Sequence, residues 1–314
     1  MPKSLPRCTV VPLPDDQASF QVEGNERLRW HFDGKYPRPF FYPLVGPSGS
    51  SLTRMGHPGD AGHDHHRSVW FAHHDVAGLG FWNDAQQNKP GPPRVRQKRW
   101  LVYHDADDAA VMGALLGWYD GDREIMEQEL IVAVGDRFED VALRGGETIV
   151  ELQTAFRPTA ETIALGKTNF GFLALRMAKS ISAHFGDGAI IDSEGRRDEP
   201  AIFGNSAAWM DYSGGVPGGK TEGVTYFDHP ANASYPSKWH VREDGWMGAS
   251  VCRDGPRTIR REEPLVLRYL LHAHAGPLDA KRASALAAAF GHWPAWRVEK
   301  SPAKHQGHRV ARLR

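Results

Sequence analysis

Cysteine is scarce in this chain: Cys8 and Cys252 are the only two among 314 residues. That excludes a disulfide framework and a Cys-x-x-Cys metal knuckle, leaving at most a single bridge. Net charge is lacking as well, because 38 Lys and Arg balance 38 Asp and Glu. No global field draws such a chain to nucleic acid or to an anionic membrane, and a small neutral ligand suits it better. No stretch approaches the ~20 apolar residues of a membrane span, and Met1 to Arg7 lack the apolar core of a signal peptide, so a cytoplasmic location is expected. Helical patterns are rare too. The 33 Gly, 22 Pro and ten Trp cut the chain into short segments bounded by turn residues, which predicts a mostly β protein.

Leu28, Trp30 and Phe32 alternate with polar residues, the period of a half-buried strand. Further strands are predicted at 100–104, 111–119, 123–134, 148–156, 171–178, 188–192, 223–228, 247–251 and 265–272, separated by Asp and Gly turns. Strands at this spacing predict one large antiparallel β-sandwich. One helix is expected, over 279–290, with Asp279 as its cap and an alanine-rich body. The domain reading is an N-terminal extension over 1–18, a single sandwich domain over 19–296, and a basic unstructured tail over 297–314. Residues 86–93 read as an exposed loop.

What the chain has in abundance is histidine within one segment. From Gly62 to Asp75 it places His63, His65, His66, His73 and His74 beside Asp64, Arg67 and Trp70. Imidazole both exchanges protons near neutral pH and binds divalent metals, so the cluster predicts proton transfer or a metal site on a loop. A metal would take His63, His65 and His73, with Asp75, His229 or His240 as further candidates. Arg67 suits bidentate capture of a carboxylate or of sugar hydroxyls. No cofactor is otherwise expected.

A second dense patch runs from Gly219 to Arg242 and holds Lys220, Asp228, His229, Trp239 and His240. Gly219-Lys220-Thr221 lacks the upstream glycine of a phosphate loop. Asp228 and His229 form an acid-base pair or cap a turn before Pro230. Asp192 and Asp211 read as turn acids, whereas Glu194 is less at home in a turn. Trp70, Trp82, Trp209, Trp239 and Trp246 all fall near these patches. An indole face packs against the C–H face of a pyranose, so a sugar cleft accounts for aromatic and polar residues together.

The segments Asp64 to His73, Asp192 to Gly195, Trp209 to Gly214, Phe227 to Pro230 and Trp239 to Arg242 together resemble the bacterial family filed under the name methane oxygenase PmoA, from about Arg38 to about Ala289. The chain has no apolar run that would suit a membrane monooxygenase subunit. The resemblance implies a β-sandwich associated with sugar catabolism. His74 stands where that pattern usually has Gly and is not counted as a site residue. A fainter likeness at Tyr42 to Pro47 links the chain to aldose epimerases of the galactose mutarotase class, whose fold is a large supersandwich.

The combined expectation is a carbohydrate-active enzyme working on a glycoside or keto-sugar by cleavage, elimination or epimerisation. One of His65, His66 and His73 acts as general acid, and Glu194 or Asp228 as base. Arg67, Trp70, Asp75, Trp209, Lys220, His229, Trp239, His240 and Arg242 bind substrate. The alternatives are a carbohydrate-binding protein without catalysis and a metal-dependent hydrolase or oxygenase. A homo-oligomer is compatible with all three.

Overall fold

Alternation of apolar and polar residues organises the described part of the chain into twenty strands. In the computed structural model, which describes residues 5–84, 87, 90–137, 141 and 143–313, the order begins with β1 Cys8–Leu13, β2 Gln17–Val22, β3 Asn25–His31, β4 Phe40–Leu44 and β5 Val69–His73. Next come β6 Arg94–His104, β7 Ala109–Asp120, β8 Arg123–Gly135, β9 Thr148–Pro158, β10 Thr162–Leu165, β11 Gly171–Arg176 and β12 Ala189–Asp192. A short helix α1, Asp198–Ile202, precedes β13 Trp209–Val216, β14 Lys220–Asp228, β15 Lys238–Arg242, β16 Trp246–Ser250, β17 Arg257–Arg260 and β18 Leu265–Ala275. Helix α2, Ala280–His292, and the strands β19 Trp296–Lys300 and β20 His308–Arg312 complete the order.

Two eight-stranded sheets carry the architecture, β1-β2-β3-β4-β5-β11-β16-β15 and β12-β13-β14-β18-β9-β8-β7-β6. Their registers are antiparallel throughout. Their inner faces share one apolar core: Phe71, Leu175, Trp239 and Met247 of the first sheet meet Trp118, Leu152, Tyr226 and Leu271 of the second. This is the large antiparallel β-sandwich that the turn spacing predicts. Helix α2 covers the outer face of the second sheet, burying Leu286 and Phe290 against Trp209, Phe227 and Leu270. Asp279 caps it as expected, accepting from the Arg282 backbone N–H at 3.1 Å.

The ends of the chain differ from the sequence reading. Residues 1–18 are not a separate extension as far as they are described, because β1 and the start of β2 form the edge of the first sheet. The basic tail folds into the β19–β20 hairpin. Trp296, Val298 and Val310 of that hairpin cover an apolar patch made by Ala109, Val111, Ile131 and Ala133. Buried Glu151 fixes it, accepting from both Nη atoms of Arg312 at 2.8 and 2.7 Å and from the Trp296 indole at 3.0 Å. Local composition concealed this because the apolar side of the pairing lies on strands far away in sequence. Cys8 and Cys252 are both free and buried, so the bridge left open by the sequence is not formed. The 86–93 segment lies partly outside the described residues.

Candidate active site

Strands β5, β11, β16 and β15 are neighbours in the first sheet, and their residues alternate between the shared core and the outer face. Trp70, Ala174, Gly248 and His240 stand in one row across the four strands. Arg176, Trp246 and Arg242 form the next row. On this outer face Trp70, Trp82, Ala174 and Trp246 pack into an aromatic cluster separate from the main core, with Phe170 against it.

The histidine loop folds over that face because two buried arginines hold it there. Arg38 donates through Nη1 to the Phe81 carbonyl at 2.9 Å, and through Nη2 to the carbonyls of Trp82 and, at 3.3 Å, His65. Asp84 accepts from Arg38 and from Arg67, which offsets part of their charge. Arg67 is therefore committed to Asp84 and clamps the loop rather than offering its fork to a ligand, which corrects the sequence expectation.

Between the loop and the sheet opens a cleft of about 360 Å³. His63, His65 and His66 line one side, Trp82, Phe170 and His74 another, and Arg176, His240, Arg242, Asp244 and Trp246 come from the sheet and the turn that joins its last two strands. Patches more than 150 residues apart in sequence thus meet here, because β15 and the histidine loop serve the same face.

The charges in the cleft are ordered. Arg176, fully buried, donates through Nη1 to Asp244 Oδ1 at 2.8 Å. His57 accepts the Gly59 backbone N–H at Nδ1 (3.0 Å), so its Nε2 carries the proton and donates to Asp244 Oδ2 at 2.9 Å. Burial pushes the Asp244 carboxyl up, but Arg176 and His57 together hold it below its usual value. Three of the other imidazoles, those of His65, His66 and His240, are neutral. Burial, with Arg38 nearby, lowers His65 to about 4, burial with His65 nearby lowers His66 to about 2, and burial with Arg242 nearby lowers His240 to about 3. None of these is a reservoir of acid protons at neutral pH, but each offers one donor and one acceptor.

His63 differs. Its Nδ1 lies 2.7 Å from Asp60 Oδ2, while Asp60 Oδ1 accepts the Gly62 backbone N–H at 2.7 Å. A carboxylate so placed accepts a hydrogen bond from Nδ1–H, which keeps the proton on Nδ1 and leaves Nε2 as the basic nitrogen, the arrangement by which a carboxylate orients a catalytic imidazole. The ring stands 5.3 Å from His57 and 5.2 Å from His66, centroid to centroid.

Buried polar atoms without a protein partner gather around this cleft. Among the described residues they include His66 Nδ1, His240 Nδ1, the indole nitrogens of Trp70 and Trp246, and Nε and Nη2 of Arg176. Each such group costs about 1–3 kcal/mol when left unpaired, so their concentration at one place is characteristic of a functional site rather than of a core.

Several residues expected at the site lie elsewhere. His73 points into the sandwich, fully buried against Phe172 at 4.8 Å, and accepts the Asp75 backbone N–H at Nδ1 (3.1 Å). The set of His63, His65 and His73 is therefore not brought together, and among the described residues no three His, Cys, Asp or Glu side chains are arranged to hold a metal ion. Asp75 caps a turn through Gly78. Asp228, buried, accepts from Asn232 Nδ2 at 2.6 Å and the Ser237 N–H at 2.8 Å, anchoring the loop after β14. His229 meets Arg268 at 2.8 Å and packs on Phe290 of α2. Trp209 lies beneath α2 and Trp239 in the inner core. Glu194 is exposed in the turn after β12, where the Ser193 hydroxyl donates to it, and Lys220 is exposed at a hairpin end. Trp70 underlies the cleft, and His65, His66, His240 and Arg242 line it.

Sequence reasoning missed Asp60, Arg176 and Asp244, and it set aside His74, which lines the cleft. The i,i+3 spacing of Asp60 and His63 was a usable signal. Arg176 and Asp244 gave none, because their pairing depends on the β11–β16 register.

The neutral histidines predict acid lability. For His66, His73 and His240 the folded value lies below 6.5, so their contribution is fully present above about pH 6.5 and is lost as pH falls. Each contributes about 1.4 kcal/mol per pH unit in that range. Asp228, raised by burial to about 6, works the other way, as do Glu129, raised by burial, and His274, raised by Asp211 against its burial. The lowered imidazoles outnumber them, since burial brings His65 and His229 to about 4 as well. The melting temperature is therefore expected to fall steeply between pH 6.5 and pH 5. A flat or rising melting curve over that range would count against neutral buried imidazoles.

Comparison with known proteins gives a family and little more. The model named Family of unknown function (DUF6807) matches residues 17–288. No curated protein matches the chain. Among solved structures, a crystal structure of YeaD from Salmonella typhimurium, described as a "putative mutarotase", aligns with a TM-score of 0.35 at 12% identity, over 87% of this chain and 96% of that one. Neither result supports the methane oxygenase name attached to the motif resemblance.

Proposed function

The chain belongs to this family of unknown function, and we propose that it is a carbohydrate-active enzyme that binds a neutral glycoside or keto-sugar in the histidine cleft and moves a proton at the sugar. The observation that carries the reading is the lining itself: three neutral imidazoles and the rings of Trp82, Phe170 and Trp246 around one cleft of about 360 Å³. Hydroxyl groups both donate and accept, and neutral imidazoles answer both, whereas aromatic faces take the C–H surface of a pyranose. The motif resemblance to proteins of sugar catabolism points the same way.

His63 is the proton acceptor in this reading, taking the role of base first expected of Glu194 or Asp228, and the role of general acid expected of His65, His66 or His73 is assigned to none of them. Asp60 orients its ring, and the positive charge that develops on His63 as it takes the proton is stabilised by that carboxylate. The proton comes from a sugar hydroxyl or from a C–H made acidic by a neighbouring carbonyl. Arg242, paired with Glu199, and the Arg176–Asp244 pair supply fixed dipoles at the opposite wall. Elimination at a keto-glycoside and epimerisation both begin with such a transfer, whereas hydrolytic cleavage needs in addition a proton donor to the leaving oxygen.

A panel of glycosides and keto-glycosides, assayed for binding by calorimetry and for turnover by chromatography, tests this. Saturable binding with turnover of at least one class is expected. Binding without turnover would favour the non-catalytic alternative. Stoichiometric metal in protein purified without a histidine tag, with activity lost on its removal, would favour the metal-dependent one.

A further inference from the structure

On the same face of the first sheet, one step beyond the cleft, lies a second hollow. We propose that it holds a second sugar unit, so that the substrate is a disaccharide or longer glycoside. The inference rests on the sugar reading of the cleft. Lys238 pairs with Ser250 across β15 and β16, and the next outward pair along the same strands is His240 with Gly248. Two residues of extended chain span about 7 Å, the scale of one pyranose ring with its linkage. The two hollows adjoin along β15, where His240 lines the cleft and Lys238, two residues earlier on the same side of the strand, lines the second hollow.

The hollow measures about 380 Å³ and is walled by Ser206, Ser234, Tyr235, Lys238, Asp254 and Arg257 among others. Its polar groups are fixed in place. Lys238 Nζ meets Asp254 Oδ1 at 2.6 Å, Ser234 and Ser237 share a hydrogen bond of 2.8 Å, and Arg257 Nη2 donates to the Ala233 carbonyl at 2.9 Å. Tyr235 is 38% exposed and is the only exposed aromatic residue among those described. The loop that presents it is tied down at both ends by buried Asp228, through Asn232 and the Ser237 N–H. A rigid loop that holds a single aromatic ring in water, over hydroxyl and charged groups and beside an aromatic cleft, is a stacking platform for a sugar face.

Calorimetric titration of the intact protein with methyl hexosides and with disaccharides of the same sugars tests the idea. The wild type is expected to bind the matching disaccharide roughly 10-fold more tightly than the monosaccharide, the size of one aromatic stacking contact. Tyr235→Ala should remove that advantage and leave monosaccharide affinity unchanged, and Tyr235→Phe should keep it. Equal affinities in the wild type, or an advantage that survives Tyr235→Ala, would overturn the second position while leaving the cleft reading intact. If neither sugar binds, the cleft reading fails and takes this proposal with it.

Discussion

His63→Gln is expected to lower turnover of the sugar substrate by about 10²- to 10⁴-fold, the usual contribution of a positioned proton-transfer group. Substrate affinity should change far less. The His63 side chain is partly exposed at the cleft rim and hydrogen-bonded to Asp60, and its backbone hydrogen bonds are kept on substitution, so the variant should fold and melt like the wild type. Asp60→Asn should give a smaller loss and move the pH profile of kcat, because the amide no longer favours the Nδ1–H tautomer or stabilises the charged ring. A variant at His63 that kept full kcat would remove this residue from the mechanism. His73→Ala provides the contrast: with its ring packed on Phe172 inside the sandwich, its principal effect should be on stability.

The second large effect is one of stability. Glu151→Ala should cost about 3–5 kcal/mol, because it strips the counter-charge from two arginines at a largely buried site. Arg268 reaches Glu151 Oε1 at 3.1 Å, Arg312 reaches both oxygens, and Trp296 donates to Oε2 at 3.0 Å. The C-terminal hairpin should detach, exposing the apolar patch beneath Val298 and Val310. Chemical denaturation would show the lost stability, and limited proteolysis near residue 300 would show the release. Wild-type stability in the variant would mean that the hairpin is held by apolar contact alone.

Much of the sandwich was legible in the sequence. Leu28 and Trp30 alternate with polar neighbours and do point into the core, and Asp279 before an alanine-rich run marked α2. The tail was not legible, since its partner surface is the outward side of β7 and β8. The site was half legible. Dense histidines marked the loop, and His240 and Arg242 were found on β15, where period-two alternation sends them to the face opposite Trp239. That same alternation shows why His73 was misplaced: on β5 it follows Trp70 by three residues, an odd number, and so faces the other way. Asp228 and His229 read equally well as turn chemistry, and the buried loop anchor at Asp228 bears that out. Asp244 could not be found because a single aspartate in a turn carries no signal until strand pairing brings Arg176 to it.

The most direct test of the account is a titration of histidine-labelled protein with its sugar ligand, followed through the imidazole ¹⁵N and ¹³C resonances. Resonances of His63, His65, His66 and His240 should move together with one dissociation constant, and those of His73 and His229 should stay still. Shifts confined to His73 and His229, or no movement at the four cleft histidines while calorimetry records binding, would contradict it.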